Sequence, residues 1–307
     1  MNREGRPLAD AMTNPRADRV KDVAKLVGRS SRTRRRQFLV EGPQAVREAL
    51  RAHRDCLVAG GTAVVDEVYA SRECLDRYPE FDEFFESTQE SGGSQLQMRI
   101  ASELVLAAMS DTVKPQGIIA VCRFVDVPLG EVLAAKPLLL ALLCRVQDPG
   151  NAGTLLRAAD AAGADAVIFS NSSVDVYNPK AVRSTAGSLF HLPVVLGADP
   201  STVAALCRKA GLGVLAADGY GALNLDQLQD ESAARSFEQQ TPESAYQLES
   251  PTLWLFGNEA QGLSAAELEL VDHRVAVPVY GAAESLNLGT AGTVCLYASA
   301  RAQRRPS

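Results

Sequence analysis

The chain has 307 residues, 46% of them hydrophobic, six cysteines and a formal net charge of −6. That length holds two domains of ordinary size, that composition excludes a disordered chain, and no apolar run reaches the roughly 20 residues needed to span a bilayer. The negative total argues against a nucleic-acid partner, but its distribution does not: residues 1–51 hold 13 Lys and Arg against 6 Asp and Glu, a surplus of +7 that leaves −13 for the rest. Such asymmetry fits a nucleic-acid-facing basic surface or a solvated basic arm.

Residues 1–17 are polar, carry no apolar signal-peptide core and are expected to be a mobile tail, so a cytoplasmic location is expected. Apolar spacing predicts a short helix over 19–27, followed by the basic run 29–36, a strand-like triplet at 38–40 and a turn at 41–44. A helix over 45–54, a strand over 64–70, an acidic helix over 79–90 and strands over 96–100 and 118–124 complete a small α/β domain spanning 18–125. Residues 126–136, with Pro128 and Gly130, read as a linker.

Beyond the linker the alternation becomes regular. Strands are predicted over 138–146, 166–169, 192–196, 213–217, 252–256 and 274–277, and helices over 151–163, 178–188, 202–210 and 286–304. Residues 218–250 read as a polar, acidic surface loop with a little helix, and Ser264 with Glu267 forms a capping box. Strand–helix alternation with wholly apolar strands predicts a parallel sheet covered on both faces over 137–307. Arg145 is the charge that interrupts the apolar run 137–146.

The cysteines (Cys56, Cys74, Cys122, Cys144, Cys207, Cys295) form no C-x-x-C pair and are expected to be reduced, buried thiols. His53, His191 and His273 are far apart, so no metal is expected. Neither G-x-G-x-x-G after a leading strand nor a phosphate loop is present, which disfavours a nicotinamide or ATP enzyme. Three polar corners at predicted strand ends stand out instead: D-P-G-N-A-G-T-L-L-R at 148–157, L-F-G-N-E-A-Q-G-L at 255–263 and V-P-V-Y-G-A-A-E-S-L-N at 277–287. Ligands of open α/β sheets bind at the carboxyl ends of strands. Each corner also has a plain structural reading, with Asn151 as a helix cap, Gly257 and Gly262 as turn glycines and Ser285 as the cap of the last helix.

Together the three corners resemble the motifs N-x-G-x-x-x-R, G-N-E-x-x-G-L and I-P-M-x-G-x-x-E-S-L-N-V-S of the SpoU/TrmH family of RNA 2′-O-methyltransferases, in the SPOUT class. The stretch S-T-A-G-S-L-F-H-L-P at 184–193 also resembles that family. The resemblance implies a parallel-sheet domain with a deep trefoil knot, S-adenosylmethionine as cofactor and a homodimer. R-Q-F-L-V-E-G at 36–42 and K-P-Q-G-I at 114–118 resemble, more weakly, the ribosomal-protein-like RNA substrate-binding domain often fused to these enzymes. The family's small-residue run after the third motif is here L-G-T-A-G at 288–292, where Gly289 and Gly292 would allow a close helix approach.

The implied reaction is displacement at a sulfonium methyl by a ribose 2′-hydroxyl, which needs alignment and a lower cost of losing the hydroxyl proton. The resemblance makes Arg157 the catalytic arginine. A guanidinium is too weak a base to take the proton, so stabilisation of the developing alkoxide or clamping of a phosphate is expected. Asn151 would position Arg157 and the ribose, Glu259 would orient the second corner or a polar partner across the dimer, and Ser285 and Asn287 would hold the target nucleotide. Leu255, Gly257, Asn258, Gly262, Val277 and Leu286 are the implied cofactor contacts. Arg32, Arg34, Arg35 and Arg36 are the candidates for RNA phosphate contact. Ribosomal RNA is expected ahead of transfer RNA, by analogy of domain layout. The competing readings are a catalytically silent RNA-binding protein, which the retained polar set disfavours, and a nucleotide-dependent oxidoreductase.

Overall fold

Short β-branched and aromatic runs between Gly and Pro turns set the strands of the N-terminal region. The computed structural model describes residues 11–90, 96–237 and 245–305. Residues 1–10 of the expected tail and 238–244 of the long polar segment lie outside them. The chain divides into two units, Met1–Val125 with Tyr177–His191, and Asp126–Val176 with Leu192–Ser307.

In the first unit, β1 (Gln37–Glu41), β2 (Val65–Ala70), β3 (Gln97–Ile100) and β4 (Ile118–Arg123) form a mixed sheet in the order β1-β4-β2-β3. Strand β4 runs antiparallel to β1 and β2, and β2 runs parallel to β3. One face packs on Val20, Val23 and Leu26 and on Val105, Leu106 and Met109 of the helix Glu103–Met109. The segment Tyr177–His191, far along the chain, belongs to this unit: Tyr177 stacks on Phe124 at 3.9 Å between ring centres, and its hydroxyl accepts the Val125 N–H at 2.8 Å. That membership is invisible in the alternation pattern, because the pattern reports local period and not tertiary partners.

One expectation changes here, and a run left without a conformation gains one. Met12, expected in the mobile tail, exchanges backbone hydrogen bonds with Ile100 and Ser102 at 2.8 and 2.9 Å, so a strand edge holds it. The basic run is a helix, Arg29–Arg35, closed by Arg36 in the left-handed region (φ 53°). Arginine is a good helix former, so propensity sets the conformation of a run that stands out by its charge.

In the second unit, seven parallel strands lie in the order β7-β6-β5-β10-β8-β11-β9. They are β5 (Leu139–Leu143), β6 (Ala166–Ser170), β7 (Val194–Ala198), β8 (Gly213–Ala217), β9 (Leu223–Asn224), β10 (Thr252–Phe256) and β11 (His273–Ala276). Strands β5, β6 and β10 are buried at every position, as a sheet covered on both faces requires. The linker stretch contains the helix Leu129–Ala134, and the polar segment contains β9 and the twelve-residue helix Leu225–Ser236.

Alternate residues of β10 face opposite sides. Leu253 and Leu255 enter a core with Leu142, Ile168, Val203 and Val214. Trp254 donates to Ser299 Oγ of the last helix, Leu288–Gln303, at 2.9 Å. That helix packs on Pro149–Ala162 through its glycines: a Cβ on Gly289 would meet Thr154 at 2.8 Å, and one on Gly292 would meet Leu155 at 2.8 Å. The expected close approach is thus present, against side chains. No helix among the described residues is long and apolar enough to cross a membrane.

Candidate active site

Strands β5, β10, β8 and β11 are neighbours and parallel, so their carboxyl ends share one edge. The corners at 148–157, 257–263 and 277–287 leave β5, β10 and β11 there, and the turn at 218–221 leaves β8.

The corners are tied to each other through side chains. Glu259 accepts the backbone N–H of Gln147 at 3.2 Å and of Asp148 at 3.1 Å, and the Nδ2 of Asn151 at 3.3 Å. Asn151 Oδ1 in turn accepts Nδ2 of Asn287 at 2.9 Å, and Asn287 Oδ1 caps the last helix at Gly289 N–H, 2.9 Å. One relay therefore joins the second corner to the first and the first to the third. The carboxylate accepts in every one of these bonds, which suits orientation rather than proton donation.

The second corner is a tight loop. Asn258 and Gly262 exchange backbone hydrogen bonds at 3.0 and 2.8 Å, and Asn258 Oδ1 accepts the N–H groups of Ala260 and Gln261. Gly257 is fixed by close approach: a Cβ there would lie 2.3 Å from Gly262 C. Outside the loop, Arg145 donates to Glu267 through Nε at 3.0 Å and Nη2 at 2.8 Å, and also reaches Gln261 Oε1 and Gly262 O. Glu267 also completes the capping box with Ser264. Burial raises the Glu267 carboxyl, but Arg145 and the Ser264 donors together outweigh it, and the group sits below its ordinary value.

A cavity of about 690 Å³ opens at this edge, within the range of small-molecule sites. Phe256, Val277, Leu286 and Leu288 supply apolar wall, and Gly257, Asn258 and Gly262 supply backbone. Its charged side chains are Asp218, Glu259, Glu284 and Arg274, and Arg274 donates to Asp218 at 2.6 Å. Three carboxylates beside one already paired guanidinium suit a cationic ligand. They oppose the phosphates of a dinucleotide or of ATP.

Residues 138–297 match the model of the SpoU rRNA Methylase family, just over half of the chain. The chain belongs to that family. Residues 17–120 match the MRM3-like substrate binding domain. The chain is 37% identical over 279 residues to the 23S rRNA (guanosine(2553)-2′-O)-methyltransferase RlmP of Bacillus subtilis, covering 91% of this chain and 94% of the relative. Among solved structures it resembles the SpoU methyltransferase AviRb of Streptomyces viridochromogenes in complex with the cofactor AdoMet. That likeness is 28% identical, has a TM-score of 0.71, and covers 93% of this chain and 98% of that one. An RNA 2′-O ribose methyltransferase crystal structure is likewise 28% identical with a TM-score of 0.72, covering 96% and 99%.

Within this SpoU chain the sequence-predicted residues fall into distinct places. Glu259, Ser285, Gly257, Asn258, Gly262, Val277 and Leu286 line the cavity. Asn151 and Asn287 do not line it and instead build the relay beside it. Asp148, not Asn151, caps the first helix, accepting Asn151 N–H at 2.8 Å; the cap of the last helix is Asn287 and not Ser285. Leu255 is corrected: it is fully buried in the β10 core and lines no part of the cavity, because alternation turns it to the far face. Arg157 is exposed, lines none of the cavity and has no hydrogen-bond or ion-pair partner among the described residues. Six residues beyond Asn151, it sits about 9 Å further along the helix and about 120° around it.

Arg32 is corrected too. It is 2% exposed and donates to the carbonyls of Leu26 and Val27, so no phosphate can reach it. Arg34 is exposed, Arg35 bonds Gln37 and Asp22, and Arg36 lies over the Phe124 ring at 4.9 Å. Sequence reasoning missed the role of Arg145 and the placement of Glu267. The available signal is a charge interrupting an otherwise apolar strand run, which by itself marks only a break.

Proposed function

We propose that this chain transfers the methyl group of S-adenosylmethionine to a ribose 2′-hydroxyl of 23S ribosomal RNA. The observation that carries the reading is the relay from Glu259 through Asn151 to Asn287 beside a cavity lined by carboxylates. S-adenosylmethionine is a sulfonium with an ammonium group, so Glu259 and Glu284 complement it. The apolar wall at Val277, Leu286 and Leu288 suits an adenine ring. When bound, the sulfonium supplies an electrophilic methyl group. The chain's own residues would orient, exclude water and stabilise charge: the relay would fix the loop that bears Glu259, and Ser285, exposed on the cavity wall, would donate to a ribose oxygen.

Arg157 would stabilise the alkoxide forming at the 2′-oxygen or clamp the neighbouring phosphate. We include a homodimer in the proposal. In support, the last helix exposes Val294 (36%) and Tyr297 (48%), the Tyr297 hydroxyl donates to Ala161 O of the helix that carries Arg157 at 3.4 Å, and Arg157 has no partner among the described residues of its own chain. A knotted path through the second unit belongs to the same reading; its support is that β10 lies between β5 and β8, both of which precede it. RNA would be held partly by Arg34, Arg35 and Arg36.

Calorimetry with S-adenosylmethionine and with NAD, followed by transfer of labelled methyl to deproteinised ribosomal RNA and to transfer RNA, tests the proposal. Binding of the sulfonium and labelling of the ribosomal RNA are expected. Binding of NAD alone would sink the reading, and labelling of transfer RNA alone would replace its substrate.

A further inference from the structure

Arg145 lies two residues beyond β5 and adopts φ 56°, the left-handed region that an L side chain occupies only at a cost. A glycine there would relieve the backbone, so an arginine at this position directs attention to its side chain. That side chain grips the second corner from outside. It forks onto both oxygens of Glu267, whose helix follows the corner, and reaches Gln261 Oε1 at 3.2 Å and Gly262 O at 3.1 Å. Its own carbonyl accepts Asn258 Nδ2 at 3.0 Å and Gln147 Nε2 at 3.2 Å. Asn258, Gln261 and Gly262 all line the cavity, whereas Arg145 does not.

We infer that Arg145 is a positioning residue that holds the 258–262 loop in the conformation able to take the cofactor. This rests on the proposed function. A guanidinium is needed because it alone presents several donors in a fixed fork, enough for a carboxylate, an amide and a carbonyl at once. Released, the loop would hold its binding conformation for only part of the time, and apparent cofactor affinity would fall by that fraction. The chemical step, carried by other residues, would proceed normally once cofactor is bound.

The test uses the full-length protein with S-adenosylhomocysteine as probe and with S-adenosylmethionine and RNA as substrates. Arg145→Gly removes the grip and the backbone cost together. Arg145→Gly/Glu267→Gln also removes the stranded carboxylate while keeping the capping box, since glutamine serves there too. Arg145→Lys keeps the charge without the fork. We expect the double variant to melt close to wild type, its Kd for S-adenosylhomocysteine and KM for S-adenosylmethionine to rise about tenfold, and kcat at saturating cofactor and KM for RNA to hold within about twofold. The lysine variant should fall between, at about threefold. A folded double variant with wild-type cofactor affinity overturns the inference, as does a fall in kcat at unchanged cofactor KM. If the glycine variants do not fold, wild-type cofactor affinity in Arg145→Lys overturns it. Failure of the wild-type protein to bind S-adenosylhomocysteine would instead overturn the proposed function.

Discussion

The sheet-edge corners of the second unit and the arginine helix of the first hold their polar residues in opposite ways. In the corners the relay side chains have partners from distant stretches: Glu259 from residues 147–151, Asn287 from Asn151. In the basic run the candidates bond to different groups, Arg32 to the Leu26 and Val27 carbonyls and Arg35 to Gln37 and Asp22, and Arg34 is exposed. A network fails when one member leaves, whereas a set of separate cations loses function in steps. Substitutions in the corners should therefore act sharply and those in the helix gradually.

The sharpest break should come from Gly257→Ala. The added Cβ would sit 2.3 Å from Gly262 C and 2.4 Å from Leu263 N, backbone atoms that cannot move aside. Overpacking of this kind costs about 1–3 kcal/mol, so cofactor affinity measured by calorimetry should drop up to about 10²-fold. Unchanged affinity would show that the loop has slack that the relay denies it. Glu259→Gln comes next. It keeps the shape but loses charge-assisted bonds to two backbone donors and Asn151, and kcat/KM should fall about 30-fold. A drop of only a fewfold would mean that the corners are held separately, and the contrast with the arginine helix would collapse.

The helix itself contains the sharpening case. Replacing Arg34, Arg35 and Arg36 singly by Gln should reduce the salt slope of RNA binding by about 0.7–0.9 for each phosphate that is no longer neutralised. Arg32→Gln should leave that slope alone and lower thermal stability by about 1–3 kcal/mol, because it strands the Leu26 and Val27 carbonyls. Equal behaviour of all four would return Arg32 to the binding surface.

The smallest effect separates the units by acid. His53 is buried and accepts Val65 N–H at 3.0 Å, its Nε2 has no partner among the described residues, and burial lowers its pKa below the ordinary 6.5. The unfolded chain then binds the proton first, so the first unit loses stability as pH falls below 6.5 towards the lowered folded value. Glu267 is also depressed, and its contribution, present above 4.5, is lost as pH falls through its lower folded value. Thermal melts from pH 7 to 4 should show a decline starting near 6.5 that His53→Phe flattens. A decline starting only below 4.5, and insensitive to that change, would assign acid sensitivity to the second unit.

The sequence is most legible where chemistry forces both residue type and spacing. The strands β5, β6 and β10 read as continuous apolar runs because burial on two faces leaves no polar option. The three corners read as a site because glycine, asparagine and glutamate recur where strands end. What stays hidden depends on partners far along the chain. Leu255 and Arg32 look like site residues by proximity to motifs, and only the facing of β10 and the burial of the arginine helix remove them. Arg145 is visible as a charge in an apolar run, yet its grip on residues 116–122 positions later is a tertiary fact.

The central claim is that the three corners together transfer methyl to a ribose of ribosomal RNA, with Arg157 acting on the oxygen and not on the cofactor. The most direct measurement maps ribose methylation in ribosomal RNA incubated with S-adenosylmethionine and either wild-type protein or Arg157→Ala, with cofactor affinity measured on both. The account predicts one new 2′-O-methyl site with wild type, at least about 10³-fold slower methylation with Arg157→Ala, and nearly equal cofactor affinity. A wild-type protein that leaves every ribose unmodified, or an Arg157→Ala protein as active as wild type, would contradict it.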